Sequence, residues 1–210
     1  SDTGDLFEQY LPYLDPNENV VIDLTCNTGG SLQGVIELLA YLTEENIPVS
    51  HINSKTNQII HEFYTSDKDA VEDINLFVVT SQVTYSAANV FATVVRDLEL
   101  GMLIGDHTLG GSSALVFTVL PNGMIISNSS YMTFLDENLE INEDGIEVEL
   151  DYALPINLDT LASDLDSYYK IGTDYFPNAV NSFNIIRITF IIETQDNDLT
   201  ISEYILNVYD

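Results

Sequence analysis

The segment from residue 76 to residue 98 constrains the fold more than any other part of the chain. Four apolar residues at 76–79 lead into a turn of small residues, Ser86-Ala87-Ala88. Apolar residues then recur at helical spacing, at Val90, Phe91, Val94, Val95 and Leu98. An apolar run followed by this spacing predicts a buried strand, a sharp turn and a helix with one apolar face. Such units are typical of α/β proteins.

The rest of the chain also alternates strand-like and helix-like segments. We predict strands at 20–24, 47–53, 58–64, 76–79, 102–105, 115–120, 124–128 and 131–135, and a helix over 32–42. Together they indicate the α/β class, with a mostly parallel sheet and right-handed crossovers.

The C-terminal part has a different pattern, and we divide the chain into a core, 1–157, and an extension, 158–210. A surface helix is predicted over 159–169. A β-hairpin of the runs 183–192 and 199–209 is predicted to form an appendage.

Charge and composition exclude several classes of protein. The 210 residues carry 34 acids against 5 Lys and Arg, a net charge of −29. Such a chain repels nucleic acid and anionic membranes, so we expect neither as a partner. No run approaches the roughly 18 apolar residues of a membrane span. No EF-hand spacing is present, and we expect no metal or cofactor.

Ser86 has two interpretations from local pattern. It stands where the helix begins, so its hydroxyl would share a corner with unpaired backbone N–H groups. That arrangement suits a nucleophile, because the oxyanion that a serine generates needs backbone donors nearby. The alternative is an N-cap, a position that serine favours in any helix. The pair Gly29-Gly30 also has two interpretations. It allows the backbone to approach a ligand closely, or it forms an ordinary strand-to-helix turn.

Four segments in order resemble one family, the C-terminal processing (tail-specific) serine peptidases, and are closer to its tricorn-like branch. Residues 20–30 (VVIDLTCNTGG) are similar to the family's apolar strand followed by Asn-x-Gly-Gly. Residues 84–88 (TYSAA) are similar to the segment that carries its nucleophile. Residues 103–111 (LIGDHTLGG) resemble its I-G-x-x-T-x-G segment, and residues 145–149 (GIEVE) more weakly its Gly-Ile-x-Pro-Asp.

The resemblance implies a ClpP/crotonase-like core, a spiral of ββα units. It implies that Ser86 attacks a peptide carbonyl, and that the Ala87 N–H and an N–H from the Gly29-Gly30 loop form the oxyanion hole. Gly110 and Gly111 would border the same site. The partner would be a polypeptide substrate.

The general base is the main departure from the family. The Ser–Lys branch has its lysine where this chain has Gly111. The tricorn-like branch uses a histidine from an N-terminal segment. Since the sequence starts at Ser1 without Met, we expect it to be an excised part of a longer protein, with the base supplied from the missing segment or domain. Inside the chain, His107 is the candidate base and Glu143 (or Asp144) the candidate supporting acid.

Three further side chains have ordinary interpretations. We expect His51 and His61 to be surface residues. We expect Cys26, the single cysteine, to be a buried structural thiol rather than a nucleophile.

Two other functions stay open beside the serine peptidase. One is a catalytically inactive ligand- or protein-binding module on the same fold, which the missing lysine favours. The other is a surface or secreted interaction protein. We expect an extracellular or cell-surface location, and an oligomer is possible.

Overall fold

The computed structural model describes residues 7–13, 19–53, 55–64, 68–71, 74–148 and 183–187. After a short 3-10 turn at Leu11–Tyr13, two helices and eight strands follow in the described residues. They are β1 (Asn19–Asp23), α1 (Leu32–Leu39), β2 (Ile47–Asn53), β3 (Gln58–Tyr64), β4 (Asn75–Thr80), α2 (Ala87–Asp97), β5 (Met102–Gly105), β6 (Ser113–Val119), β7 (Ile125–Leu135) and β8 (Phe183–Arg187).

The first sheet is entirely parallel and has the order β5-β4-β1-β8. Its strands β1 and β4 are apolar along almost their whole length, as expected for strands covered on both faces. Val20, Ile22 and Val78 are completely buried. The carboxyl ends of β1, β4 and β5 lead into three loops, 24–31, 81–86 and 106–112, which therefore lie at one edge of the sheet.

The second sheet is antiparallel and has the order β3-β2-β7-β6. The α/β class is confirmed, but only one of the two sheets is parallel. The difference arises because both 47–64 and 113–135 turn back on themselves as hairpins, whose strands must be antiparallel. The two strands predicted at 124–128 and 131–135 are one continuous strand, β7.

Helix α2 contributes the centre of the hydrophobic core. All of its residues from Ala87 to Val95 are buried, and it packs against α1 and β5. Phe91 is completely buried, and burial of such a side chain stabilises the fold by about 1.5–3 kcal/mol. The core thereby fixes the start of α2, where Ser86 lies.

Of the elements predicted in the C-terminal extension, only one strand lies within the described residues. β8 pairs in parallel with β1, Asn19 opposite Phe183, and so extends the edge of the first sheet. The predicted partner strand at 199–209 and the predicted helix at 159–169 lie outside the described residues, and the boundary at residue 157 stays a prediction. Among the helices of the described part, none combines the length and the hydropathy that a membrane crossing requires.

Candidate active site

Ser86 is held in a conformation that few residues other than glycine adopt. Its φ is 56° and its ψ is −124° at the first turn of α2. A backbone of this kind costs about 1–3 kcal/mol and occurs mainly at functional sites. Ser86 occupies the N-cap position, yet its hydroxyl makes no capping hydrogen bond. The local geometry is therefore not that of an ordinary serine N-cap.

Backbone hydrogen bonds tie the serine segment to the two neighbouring loops. The Tyr85 N–H donates to the Asn27 carbonyl oxygen at 3.1 Å, and the Ser86 N–H donates to the Gly110 carbonyl oxygen at 2.8 Å. The Thr84 hydroxyl donates to the Leu24 carbonyl oxygen at 2.8 Å. The three loops that carry the sequence motifs are thus brought together at Ser86.

Gly29 lies directly against the serine. A Cβ atom at Gly29 would be 2.6 Å from Ser86 Cβ and 2.9 Å from the Ala87 nitrogen, closer than packing allows. Gly29 also has a φ of 95°, in the region that favours glycine. Only glycine lets this loop come so close to the start of α2, so the turn is more than an ordinary strand-to-helix connection.

Two backbone N–H groups beside Ser86 are available to a ligand. Neither the Ala87 N–H nor the Gly30 N–H has a hydrogen-bond acceptor in the described part of the chain. The Gly29 N–H is different, because it donates to the Asn27 side-chain oxygen at 2.9 Å. Of the glycine pair, Gly30 is therefore the one whose N–H remains open.

Asn27 was not singled out from the sequence, although the structure gives it a central position. It is 2% exposed. Its side chain accepts from Gly29, its carbonyl oxygen accepts from Tyr85, and its N–H donates to the Leu24 carbonyl oxygen at 3.0 Å. Asn27 therefore fixes the glycine loop and the serine segment relative to each other. Its position in the Asn-x-Gly-Gly segment is the sequence signal by which Asn27 could have been identified.

The second glycine pair is closed in by its neighbours. A Cβ at Gly110 would overlap the backbone of Glu143, and a Cβ at Gly111 would overlap the ring of Tyr85. Both glycines have positive φ, 88° and 75°. At Gly111, where the Ser–Lys branch would have its lysine, a side chain would need a φ that favours glycine and a shift of the exposed Tyr85 ring.

Glu143 lies beside this glycine pair. Its carbonyl oxygen accepts from the Gly111 N–H at 3.0 Å, and its carboxylate accepts a short hydrogen bond from the Ser113 hydroxyl. The side chain is exposed. The Glu143 backbone is thus bonded to Gly111, and the preceding residue, Gly110, is bonded to Ser86.

His107 is not hydrogen-bonded to Ser86. Its Nδ1 lies 2.9 Å from a carboxylate oxygen of Asp106, and its side chain is 42% exposed. The Ser86 hydroxyl has no hydrogen-bond partner among the described residues.

Two expectations about other side chains are wrong. His51 is buried, at 4% exposed, because it lies on the same face of β2 as the buried residues Ile47 and Val49. Cys26 is exposed, because it stands at the tip of the turn after β1 rather than under the glycine loop. His61 is exposed as expected, with Nδ1 2.9 Å from the Ser50 hydroxyl.

The described residues offer no metal site, since no three His, Cys, Asp or Glu side chains among them are grouped to hold an ion. What the arrangement offers chemically is a strained serine at a helix start and two open N–H donors.

Comparison with known proteins gives a family. Residues 1–152 match the model of peptidase family S41. A carboxyl-terminal-processing protease of Picosynechococcus sp. is 31% identical over 131 residues, which cover 61% of this chain and 30% of that protein. The chain thus spans about a third of the length of this curated relative.

Solved structures share the fold at lower identity. The photosystem II D1 C-terminal processing protease superposes with a TM-score of 0.58 and 19% identity, over 80% of this chain and 40% of that one. The tricorn protease gives a TM-score of 0.58 and 16% identity, over 83% of this chain and 16% of that one.

Proposed function

Because the chain belongs to peptidase family S41, we propose that it carries the catalytic centre of a serine endopeptidase, with Ser86 as the nucleophile. One observation carries the proposal. Ser86 is strained at the start of α2, its hydroxyl makes no capping bond, and the glycine loop is pressed against it. Retention of such strain is explained by a catalytic role and not by helix capping.

The reaction follows from the groups around the serine. Ser86 Oγ attacks the peptide carbonyl carbon and gives up its proton to a base. The negative carbonyl oxygen is stabilised by the Ala87 and Gly30 N–H groups. Loss of either donor would greatly lower the rate of the reaction. The amine leaves with the proton, and an acyl ester remains on Ser86. Water then attacks the ester by the same route and releases the acid.

We place the general base outside the described residues. This chain has Gly111 where the Ser–Lys branch would have its lysine, with a positive φ and the Tyr85 ring against it. This favours the tricorn-like arrangement, in which a histidine comes from another segment. Glu143 is then the supporting acid. His107, which is already paired with Asp106, is the alternative base within the described residues.

The fold and the partner follow from the same family membership. We infer that the two sheets belong to a ClpP/crotonase-like spiral. The substrate is a polypeptide, and the protein acts outside the cytoplasm or at the cell surface. These inferences rest on the family and on the acidic surface, with its net charge of −29.

A fluorophosphonate probe tests the assignment in the full-length protein. The probe forms a covalent bond with a serine only if the hydroxyl is activated and the oxyanion is stabilised. We expect labelling of the wild type, no labelling of Ser86→Ala, and unchanged labelling of Ser127→Ala, the matched control at an exposed serine of β7. Absence of labelling and of peptide hydrolysis in the wild type would overturn the proposal.

A binding module without catalysis is the second candidate, and one observation favours it. A pocket of about 400 Å³ lies along α2 from Val90 to Leu98. Phe63 and Phe134 also line it, and Ser86 does not. If an apolar ligand binds there with equal affinity to wild type and Ser86→Ala, and no probe labelling occurs, the binding module is the better description.

A further inference from the structure

The longest uncharged part of the chain is the hairpin formed by β6, the turn at 121–123 and β7. Residues 108–135 contain no Asp, Glu, Lys, Arg or His, although the whole chain has a net charge of −29. We call residues 113–135 the uncharged hairpin. Two copies of so acidic a protein repel each other wherever their charged surfaces meet. This hairpin is a place where like charges would not face each other directly.

Apolar side chains are exposed on both faces of the uncharged hairpin. Leu115, Phe117, Val119 and Ile125 share one face by the strand register, and Val116 and Ile126 lie on the other. These six side chains are between 40% and 68% exposed. Gly123 at the tip has nothing within 4 Å of where its Cβ would be, so the tip points into open space. A monomer rarely leaves a continuous apolar surface of this kind uncovered.

The outer edge of β6 has no partner strand in the described part of the chain, because β6 ends the sheet. Proteins normally protect such an edge with charge or proline, and β6 has neither. The opposite edge strand, β3, contains His61 and Glu62 and follows Lys55 in its turn. The two edges of one sheet therefore differ, and only the β3 edge is protected against pairing.

We propose that β6 pairs with β6 of a second copy of this chain, antiparallel about a two-fold axis near Val116, its middle residue. The pairing joins the two second sheets into one sheet of eight strands and satisfies the backbone groups of both edges. Side chains of the two β6 strands then lie next to each other on each face of the joined sheet. An antiparallel edge is complementary to its own copy, and the absence of charge on β6 lets two acidic copies approach there. The proposal does not depend on peptidase activity.

Sedimentation velocity of the wild-type chain, across about two decades of protein concentration, tests the pairing. We expect a monomer–dimer equilibrium in which the dimer increases with salt, because salt screens the repulsion between copies. Phe117→Glu, at the centre of β6, is expected to weaken association by about tenfold or more. Ile59→Glu, an equally acidic change at an exposed position of β3, is the matched control and leaves association unchanged.

A mixing experiment distinguishes pairing between two β6 strands from association through any other surface. Phe117→Glu and Phe117→Lys are each expected to be more monomeric than the wild type, and their equimolar mixture is expected to associate again. Circular dichroism of each variant verifies that it is folded; Val116→Glu and Val116→Lys, at the residue that faces its own copy across the two-fold axis, replace the pair if either is not. A wild type that stays monomeric, a loss of association in Ile59→Glu equal to that in Phe117→Glu, or association that the mixture does not recover overturns the proposal. Binding to neutral phosphatidylcholine vesicles without a dimer does so too.

Discussion

The ring of Tyr85 lies in the space into which a side chain at Gly111 would project. The two residues belong to different loops, which the isolated bridge between Tyr85 and Gly110 joins. A side chain at position 111 would therefore need both a shift of this ring and a positive φ of 75°.

Gly111→Lys should therefore fail to restore a base. The new side chain meets the Tyr85 ring and adopts an unfavourable φ, and we expect it to lower the free energy of unfolding by about 2–4 kcal/mol. Urea unfolding measures the loss. In the double variant with Tyr85→Ala the loss should be smaller than the sum of the two single losses. Additive losses would show that the ring does not exclude the lysine.

Ser86→Gly should be more stable than the wild type. Glycine adopts a φ of 56° with a ψ of −124° without strain, so we expect a gain of about 1 kcal/mol in the free energy of unfolding. Probe labelling is lost at the same time. Ser86→Ala, which also lacks the hydroxyl but keeps the strain, is the control and should show no gain. Equal stability of the two variants would argue against strain at Ser86.

Asn27→Ala should impair the oxyanion hole without touching the nucleophile. The buried Gly29 N–H loses its acceptor, which costs about 1–3 kcal/mol of stability and loosens the loop that carries Gly30. We expect the rate constant of probe labelling to fall by about tenfold or more. Asn27→Ser keeps an uncharged acceptor oxygen that can accept from the N–H two residues on, and should retain more of that rate than Asn27→Ala. If Asn27→Ala reacts as fast as the wild type, Asn27 does not position the loop.

Alkaline pH should destabilise the fold through Tyr41. Burial raises the pKa of the Tyr41 hydroxyl, which also donates to Glu8 at 2.9 Å. A pKa raised above the unfolded value of about 10 means that stability is fully present below that pH and is lost as the pH rises above it. Tyr41→Phe should be less stable near neutral pH, by about 1 kcal/mol, but should lose less stability between about pH 10 and 11. Urea unfolding of both proteins at each pH provides the comparison.

Local patterns predicted most of the strands and both described helices, because periodicity reports directly on burial. They could not give the pairing of the second sheet. The strands at 47–53 and 131–135 are far apart in sequence, and β2–β7 pairing depends on tertiary contacts that no local pattern encodes. The continuity of β7 was missed for a similar reason, since the polar residues at 128–130 resemble a turn and are instead an exposed part of the strand.

At the candidate site, the sequence identified the loops but not the contacts between them. Ser86 and both glycine pairs were selected by motif, and the structure places them in one corner. The hydrogen bonds of Asn27 and the contact of the Tyr85 ring with Gly111 depend on the directions of side chains, which spacing in the sequence does not reveal. His51 is a different case, because its alternation with Ile47 and Val49 along β2 is a local pattern that indicates the buried face.

The two backbone hydrogen bonds on either side of the serine, from Tyr85 to Asn27 and from Ser86 to Gly110, have a consequence for motion. Consecutive amides of one segment are held by two separate loops, so neither loop can swing away without breaking a bond to the serine segment. Each amide therefore reports on one loop: hydrogen exchange at the Tyr85 amide follows the contact with the Asn27 loop, and exchange at the Ser86 amide follows the contact with the Gly110 loop. Comparison of the two rates shows which side of the nucleophile opens more readily.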